Sequence, residues 1–439
     1  MVSSLIFFLC LAVASYYIFK SIASIKRNIN LGKSFEPSGN QGERIKKMVL
    51  VAFGQQKMFD RPLPAFLHLF VYVGFLVVNI EMIEIVLDGL LGTHRILFGL
   101  LGNAYHVVVN TFEFFAITII VACGIFFLRR NVLKIKRFWL AEMSTAPRTD
   151  ANIILGAEVL LMSAFLLMNA ADLSLQAKGL SHFTQTGPFL ISSHLLPFID
   201  QWSVTTLTLV ERGAWWFHIL GVLAFANYLP YSKHLHIVLA FPNTYFSKLT
   251  LAGQFKNMPE VTKEVKLMLT LPLTEAENAL PAAGRFGAKD IPDLTWKQLM
   301  EAYTCTECGR CSAVCPANIT GKKLSPRKIM MDTRDRMEEI GVNIDKNGSF
   351  QDDGKALYGD YISQEELLAC TSCNACADAC PVNIDPLGII IDLRRYMIME
   401  ESKAPASWNN MFSNLENNMA PWKFAPTERF NWANGANEA

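Results

Sequence analysis

The chain has 439 residues, 51% of them hydrophobic, with a mean hydropathy of +0.24 and a formal net charge of +1. It is too apolar for an ordinary soluble protein. With no basic excess, nothing in its charge points to nucleic acid. The charges are instead segregated along the sequence, as a membrane protein requires.

Five stretches reach the roughly 20 apolar residues that a bilayer crossing takes. They cover roughly residues 3–19, 63–90, 97–128, 152–173 and 203–230. The first reads as a retained signal-anchor helix. Met1-Val2-Ser3-Ser4 lacks a positive leader, and Leu9 is not the small residue expected before a lipoprotein cysteine at Cys10. The connections carry nine, one, six and one Lys or Arg in chain order, Arg95 and Lys178 being the two lone ones. The positive-inside rule then predicts an outer N-terminus and a cytoplasmic C-terminal half, in a bacterial inner membrane.

Histidines and acids inside spans are costly and mark function. His68 falls at the inner end of the second span, His106 in the outer half of the third, and His218 midway along the fifth. His234 and His236 follow at the inner end of the fifth, whereas His94, His182 and His194 read as surface residues near outer loops. Paired neutral imidazoles hold b-type haem. On one straight helix His218 and His236 share a face about 27 Å apart, and His234 points about 160° away. Depth then pairs His68 with His236 for an inner haem and His106 with His218 for an outer one. Candidates for quinone proton chemistry are Glu81, Glu84 and Asp88 on the second span, His106, Asn110 and Glu113 on the third, and Glu158, Asn169 and Asp172 on the fourth. Interhelical hydrogen bonding is the competing role for each.

Past the membrane, Thr295 and Gln298 form a capping box that starts a helix ahead of Cys305-Thr-Glu-Cys308-Gly-Arg-Cys311-Ser-Ala-Val-Cys315-Pro316. A second run reads Cys370-Thr-Ser-Cys373-Asn-Ala-Cys376-Ala-Asp-Ala-Cys380-Pro381. Both fit the spacing that holds two [4Fe–4S] clusters, in which the fourth cysteine of each run reaches the other cluster. One set is therefore Cys305, Cys308, Cys311 and Cys380. The other is Cys370, Cys373, Cys376 and Cys315. Structural zinc also uses C-x2-C pairs, but two complete copies with a fourth Cys-Pro disfavour it. Cys10 and Cys123 sit in apolar stretches and simply pack. Lys322, Lys323, Arg327 and Lys328 form a basic run that offers an acidic carrier a docking face, or else a solvated helix start.

The membrane half, with its His on the second span and His-x17-His on the fifth, resembles the cytochrome b subunit of respiratory nitrate reductase and the membrane subunit of heterodisulfide reductase. In that module the second span carries a second ligand ten residues on. Here that position is Val78, which directs attention to His106. The cysteine region resembles the small iron–sulfur subunit of heterodisulfide reductase. The 54 residues between Cys315 and Cys370 suit the α-helical ferredoxin fold of succinate dehydrogenase iron–sulfur subunits.

These resemblances imply an all-α protein: a five-helix transmembrane bundle (1–240), a linker (241–292), a cytoplasmic α-helical ferredoxin domain (293–392) and a partner-docking tail (393–439). They imply two [4Fe–4S] clusters and one or two haem b, passing electrons between a cytoplasmic partner and membrane quinone. The expected partner is an electron-transferring flavoprotein or a subunit with the CCG motifs of the heterodisulfide reductase family, clasped by the tail. The reverse flow, quinol feeding a heterodisulfide-type reductase, is the alternative. A membrane-anchored zinc scaffold is the alternative of another class.

Overall fold

The computed structural model describes residues 2–37, 39–180, 182–250, 253–255, 257–280 and 285–436. Parts of the expected linker and the last three residues of the expected tail lie outside that set. Among the described residues there is no strand, only two isolated bridges, Lys33 to Thr295 and Tyr358 to Ile362. The membrane half consists of α1 (Val2–Ile29), α2 (Gln41–Met48), α3 (Pro62–Leu91), α4 (Tyr105–Asn131), α5 (Thr145–Ala177) and α6 (Val204–Tyr228).

Among the described residues four helices are long and apolar enough to cross a membrane: Val2–Ile29, Pro62–Leu91, Ile96–Asn131 and Thr145–Ala177. The expected fifth, α6, forms a helix of 25 residues but is not among them. Thr205, Thr206 and Thr208 dilute its first turns, and Glu211 and Arg212 follow. It still closes the bundle. Gly221 of α6 comes so near α5 that an added Cβ would sit 2.6 Å from Leu161 Cδ2. Phe112, Ala116, Phe165, Leu166 and Ile219 form the bundle core. Outside it, Phe8, Val13, Ile80, Ile83, Val121, Leu160 and Leu209 are exposed, a belt suited to lipid and costly in water.

Chain punctuation explains the helix ends. Pro62 opens α3, where a missing N–H costs nothing. Gly92, at φ +71°, closes it with its N–H on Asp88 O at 2.8 Å. Pro230 ends α6 in a 3-10 turn over Leu229–Tyr231. Ser232 is then extended, a second 3-10 turn covers Lys233–Leu235, and α7 runs over His236–Tyr245. The straight helix expected from His218 to His236 is therefore broken, and the face arithmetic that set His234 apart from His236 does not hold.

The cysteine domain gathers α8 (Trp296–Thr304), α9 (Pro326–Asn347) and α10 (Pro386–Met399) around Leu299, Ile329, Met337, Leu367, Ile389 and Leu393. Thr295 and Gln298 do form the capping box that starts α8. A second one, Ser363 with Glu366, starts the short helix Gln364–Ala369 that delivers Cys370. The tail folds as α11 (Ala406–Asn418) and short turns, with Phe412, Trp422, Phe424, Phe430 and Trp432 exposed.

The domain sits on one end of the bundle and is gripped from several loops. Asn28 at the end of α1 donates to the Tyr303 hydroxyl at 3.0 Å. Arg327, whose side chain is fully buried, meets Glu142 of the α4–α5 loop at 2.7 Å and donates to Arg137 O at 2.7 Å. Asn243 of α7 donates to Val382 O at 2.7 Å.

Candidate redox centres

The two cysteine runs adopt the same backbone. Each has a left-handed residue two after its first Cys (Glu307 at φ +53°, Ser372 at +55°) and another after its second (Gly309 at +70°, Asn374 at +62°). These turns curl each run into a tight loop, with the Ser372 N–H on Cys370 Sγ at 3.4 Å. The Ile384 N–H likewise meets Cys380 Sγ at 3.3 Å. At Gly309 a Cβ would lie 2.5 Å from Arg327 Nη1, so the first loop needs glycine to admit the buried guanidinium.

The two runs lie close enough for their thiols to feel one another. Cys311 lies within electrostatic reach of Cys305, Cys308 and Cys380, and more weakly of Cys376. Cys370 and Cys376 both lie within reach of Cys315. Burial, more than any neighbour, pushes the thiols of Cys305 and Cys376 up to about 12. They surrender their protons only to a cationic ligand such as iron. Among the described residues no three His, Cys, Asp or Glu side chains converge on one metal ion. A [4Fe–4S] cube asks for a wider set, one thiolate per iron.

The sets differ in exposure. Cys373 is exposed and Arg394 ties its loop down, donating to Leu367 O at 2.8 Å and Ser372 Oγ at 3.0 Å. Cys305 and Cys380 are buried, as are Cys315 and Cys376, so Cys373 alone makes the difference. Glu307 joins the two halves of the molecule, meeting Lys233 at 2.7 Å and Arg334 at 2.8 Å. Burial alone would raise this carboxyl, but the two cations outweigh it and hold it below the usual range.

Within electrostatic reach of Arg310, in the first cysteine loop, lies a group of histidines. The rings of His68 and His236 stand 6.3 Å apart, centroid to centroid. Two imidazoles on opposite sides of one metal, each nitrogen about 2 Å from it, place their centroids roughly 6 Å apart. His68 Nδ1 lies 3.0 Å from Gln55 Oε1, and His236 Nδ1 lies 2.9 Å from Lys233 O. Both rings thus have an acceptor on Nδ1, the arrangement that leaves Nε2 free as a ligand. The pair fits a b-type haem. His234, expected to face away, stacks on His236 at 5.9 Å with its Nδ1 buried and unpaired.

The second expected pair is not brought together. His218 is 1% exposed, with Nδ1 on Leu161 O at 2.9 Å and Nε2 buried without a partner. His106 sits in the first turn of α4 against Gly187, whereas His218 lies 14 residues into α6, about 21 Å along it. Val78 is buried in the apolar core, as its side chain requires.

The intramembrane acids separate by their partners. Glu113 accepts from Asn169 Nδ2 at 3.0 Å and from the Ile191 N–H at 2.7 Å, a joint between helices. Asp172 accepts from Arg95 Nη2 at 2.8 Å, and Glu84 accepts from the Tyr105 hydroxyl at 2.7 Å. Asp88 caps the turn after α3 by accepting the Arg95 N–H at 2.8 Å. His94, expected at the surface, is half-buried beside Asp172, with the side chain only 9% exposed.

Sequence reasoning missed the strap between the two centres. Arg310, inside the first cysteine loop, donates to Lys57 O at 3.1 Å, and Lys57 Nζ donates to Asp378 O at 2.9 Å. Two residues before Lys57 is Gln55, the partner of His68. Residues 55–58 therefore touch both cysteine runs and the histidine pair. Only the oddity of a buried, left-handed Gln55 marks them, and that is invisible in sequence.

Residues 304–384 match the model of a 4Fe-4S dicluster domain. Along its whole length the chain is 28% identical to a Bacillus subtilis protein named probable iron-sulfur-binding oxidoreductase FadF, spanning 61% of that protein. It is 24% identical to the EtfAB:quinone oxidoreductase of Syntrophomonas wolfei, over 89% of this chain and 54% of that protein. Over 33% of the chain it is 30% identical to a subunit of the dihydromethanophenazine:CoB--CoM heterodisulfide reductase of Methanosarcina mazei, spanning 35% of that protein. The chain thus spans under two thirds of each relative. No solved structure matches it. The chain is thus similar to iron–sulfur oxidoreductases and, over 34% of its length, to a Chromohalobacter salexigens protein named probable membrane-anchored ferredoxin, and it carries a 4Fe-4S dicluster domain.

Proposed function

We propose that the chain relays electrons between a soluble flavoprotein and the membrane quinone pool, through two [4Fe–4S] clusters and a b-type haem. The observation that carries this reading is the strap. One short segment, 55–58, contacts Arg310 in the first cysteine loop, Asp378 in the second and His68 of the histidine pair. When bound, the clusters and haem supply one-electron carriage, which lets a two-electron flavin serve a two-electron quinone.

The chain's own residues hold and space these groups. Cys305, Cys308, Cys311 and Cys380 form the set nearer the membrane. Cys370, Cys373, Cys376 and Cys315 form the set nearer solvent, and the exposure of Cys373 suits it to face the partner. His68 and His236 are the haem ligands, by their ring spacing and by the acceptor on each Nδ1. His218 is the candidate for a second haem, and His106 has no geometric support as its mate. The likeness to a protein named EtfAB:quinone oxidoreductase favours flow toward quinone. The likeness to part of a heterodisulfide reductase keeps a CCG-type partner as the second reading, and the exposed aromatics of the tail suit such docking.

The test is the purified protein. Iron and acid-labile sulfide near eight per chain, a b-type haem band, and quinone reduction driven by a reduced electron-transferring flavoprotein are expected. A preparation with zinc in place of iron would restore the scaffold reading and end this one.

A further inference from the structure

The end of the bundle far from the cysteines holds a cavity of about 250 Å³ between α1, α3, α5 and α6. Its wall is crowded with ionisable groups, most of them already satisfied. Asp172 is locked to Arg95, Glu84 is held by Tyr105 and the Leu97 N–H at 3.0 Å, and Glu211 pairs with its neighbour Arg212. Two groups are left over. Glu81 is 2% exposed, lines the cavity, and its Oε2 has no hydrogen-bond partner. His94 also lines it. Its Nε2 lies 3.3 Å from Asp172 Oδ1, and its buried Nδ1 has no partner.

A buried polar atom without a partner is costly, and two of them on one wall mark a place where a ligand completes the set. Each of these groups exchanges one proton. The wall also carries Arg212, paired with Glu211, its guanidinium carbon 5.7 Å from the centroid of the Trp215 ring, so an aromatic and a planar cation line this side of the cavity. The volume suits a ring headgroup better than a large solute, since pockets for drug-sized ligands begin at about 300 Å³.

We propose that this cavity takes the headgroup of a membrane quinone, with Glu81 and His94 as its two proton partners. The proposal rests on the relay reading above and adds the site. Reduction of one quinone takes two electrons and two protons. The electrons come from the chain's redox groups, reduced in turn by the flavoprotein. One carbonyl oxygen takes the proton of the Glu81 carboxyl and the other takes the Nδ1 proton of the His94 imidazolium, whose Nε2–H stays on Asp172. The quinol leaves, and both groups are recharged from water. Quinol oxidation is the same steps reversed. Tyr105, Arg95 and Asp172 are positioning residues that keep Glu84 and His94 in place.

The site and the relay can be tested apart. Binding of a hydroxyquinoline N-oxide, a fluorescent quinol analogue, to the full-length protein in detergent reads the site without turnover. In Glu81→Gln and His94→Gln the analogue should bind more weakly and quinone turnover should fall on the order of 100-fold, while cluster and haem spectra persist. Glu81→Asp should recover part of the loss. Wild-type binding and turnover in both variants would overturn the site while leaving the relay standing. So would displacement of the analogue by sodium or calcium ions alone. A wild type that binds the analogue at this cavity yet never reduces quinone would overturn the relay and keep the site.

Discussion

Gln55 determines which nitrogen of His68 is available. Its side-chain oxygen lies on Nδ1, so the opposite nitrogen is the one left to bind a metal. A carboxylate at that place makes an imidazole ligand more basic and favours ferric iron. Gln55→Glu should therefore lower the haem midpoint potential, and Gln55→Leu should weaken haem retention, both read by redox titration with optical spectra. An unchanged potential in both variants would remove Gln55 from the centre. The cysteines give a simpler test. Cys305→Ser and Cys370→Ser should each lose about half of the iron and sulfide, because the crossed sets share no ligand.

Between elements, two buried ion pairs join the cysteine domain to the bundle. Removing one partner of such a pair strands the other charge, at about 3 kcal/mol. Glu142→Ala leaves Arg327 stranded, and the loss should appear as a lower melting temperature of the detergent-solubilised protein. Lys233 with Glu307 makes the second joint, and its pH dependence has a sign. The Glu307 carboxyl is held below its ordinary 4.5, so its contribution is fully present above that value. It is lost as the pH falls through the lower folded value. Glu307→Gln should flatten the acid limb of stability, measured as melting temperature between pH 3 and 6; an unaltered acid limb would assign the joint no weight. Much at this scale is legible in sequence. The cysteine loops, the capping box at Thr295 and the helices of the membrane half follow from local spacing. The break after α6 does not, because a proline in an apolar run reads as a kink as readily as an end. The strap at 55–58 and the burial of His94 do not either, since both depend on contacts between segments far apart in sequence.

For the whole molecule, the cysteine domain is fixed to the bundle by α1, the α4–α5 loop, α7 and the strap at once. The exposed apolar side chains of the tail, by contrast, take no part in that grip. Deletion of residues 405–439 should leave cluster and haem spectra intact and abolish co-purification of a partner, and an unchanged set of co-purifying proteins would assign the tail another role.

The grip at 55–58 has a mechanical consequence. Carriers that swing on a hinge trade speed for reach, their rate set by how often the arm swings home. Here the backbone segment that receives Arg310 leads within a few residues into the helix bearing His68, so the domain has no free stroke. Traffic through such a molecule resembles conduction along a soldered joint, and solvent viscosity should leave its internal rate untouched.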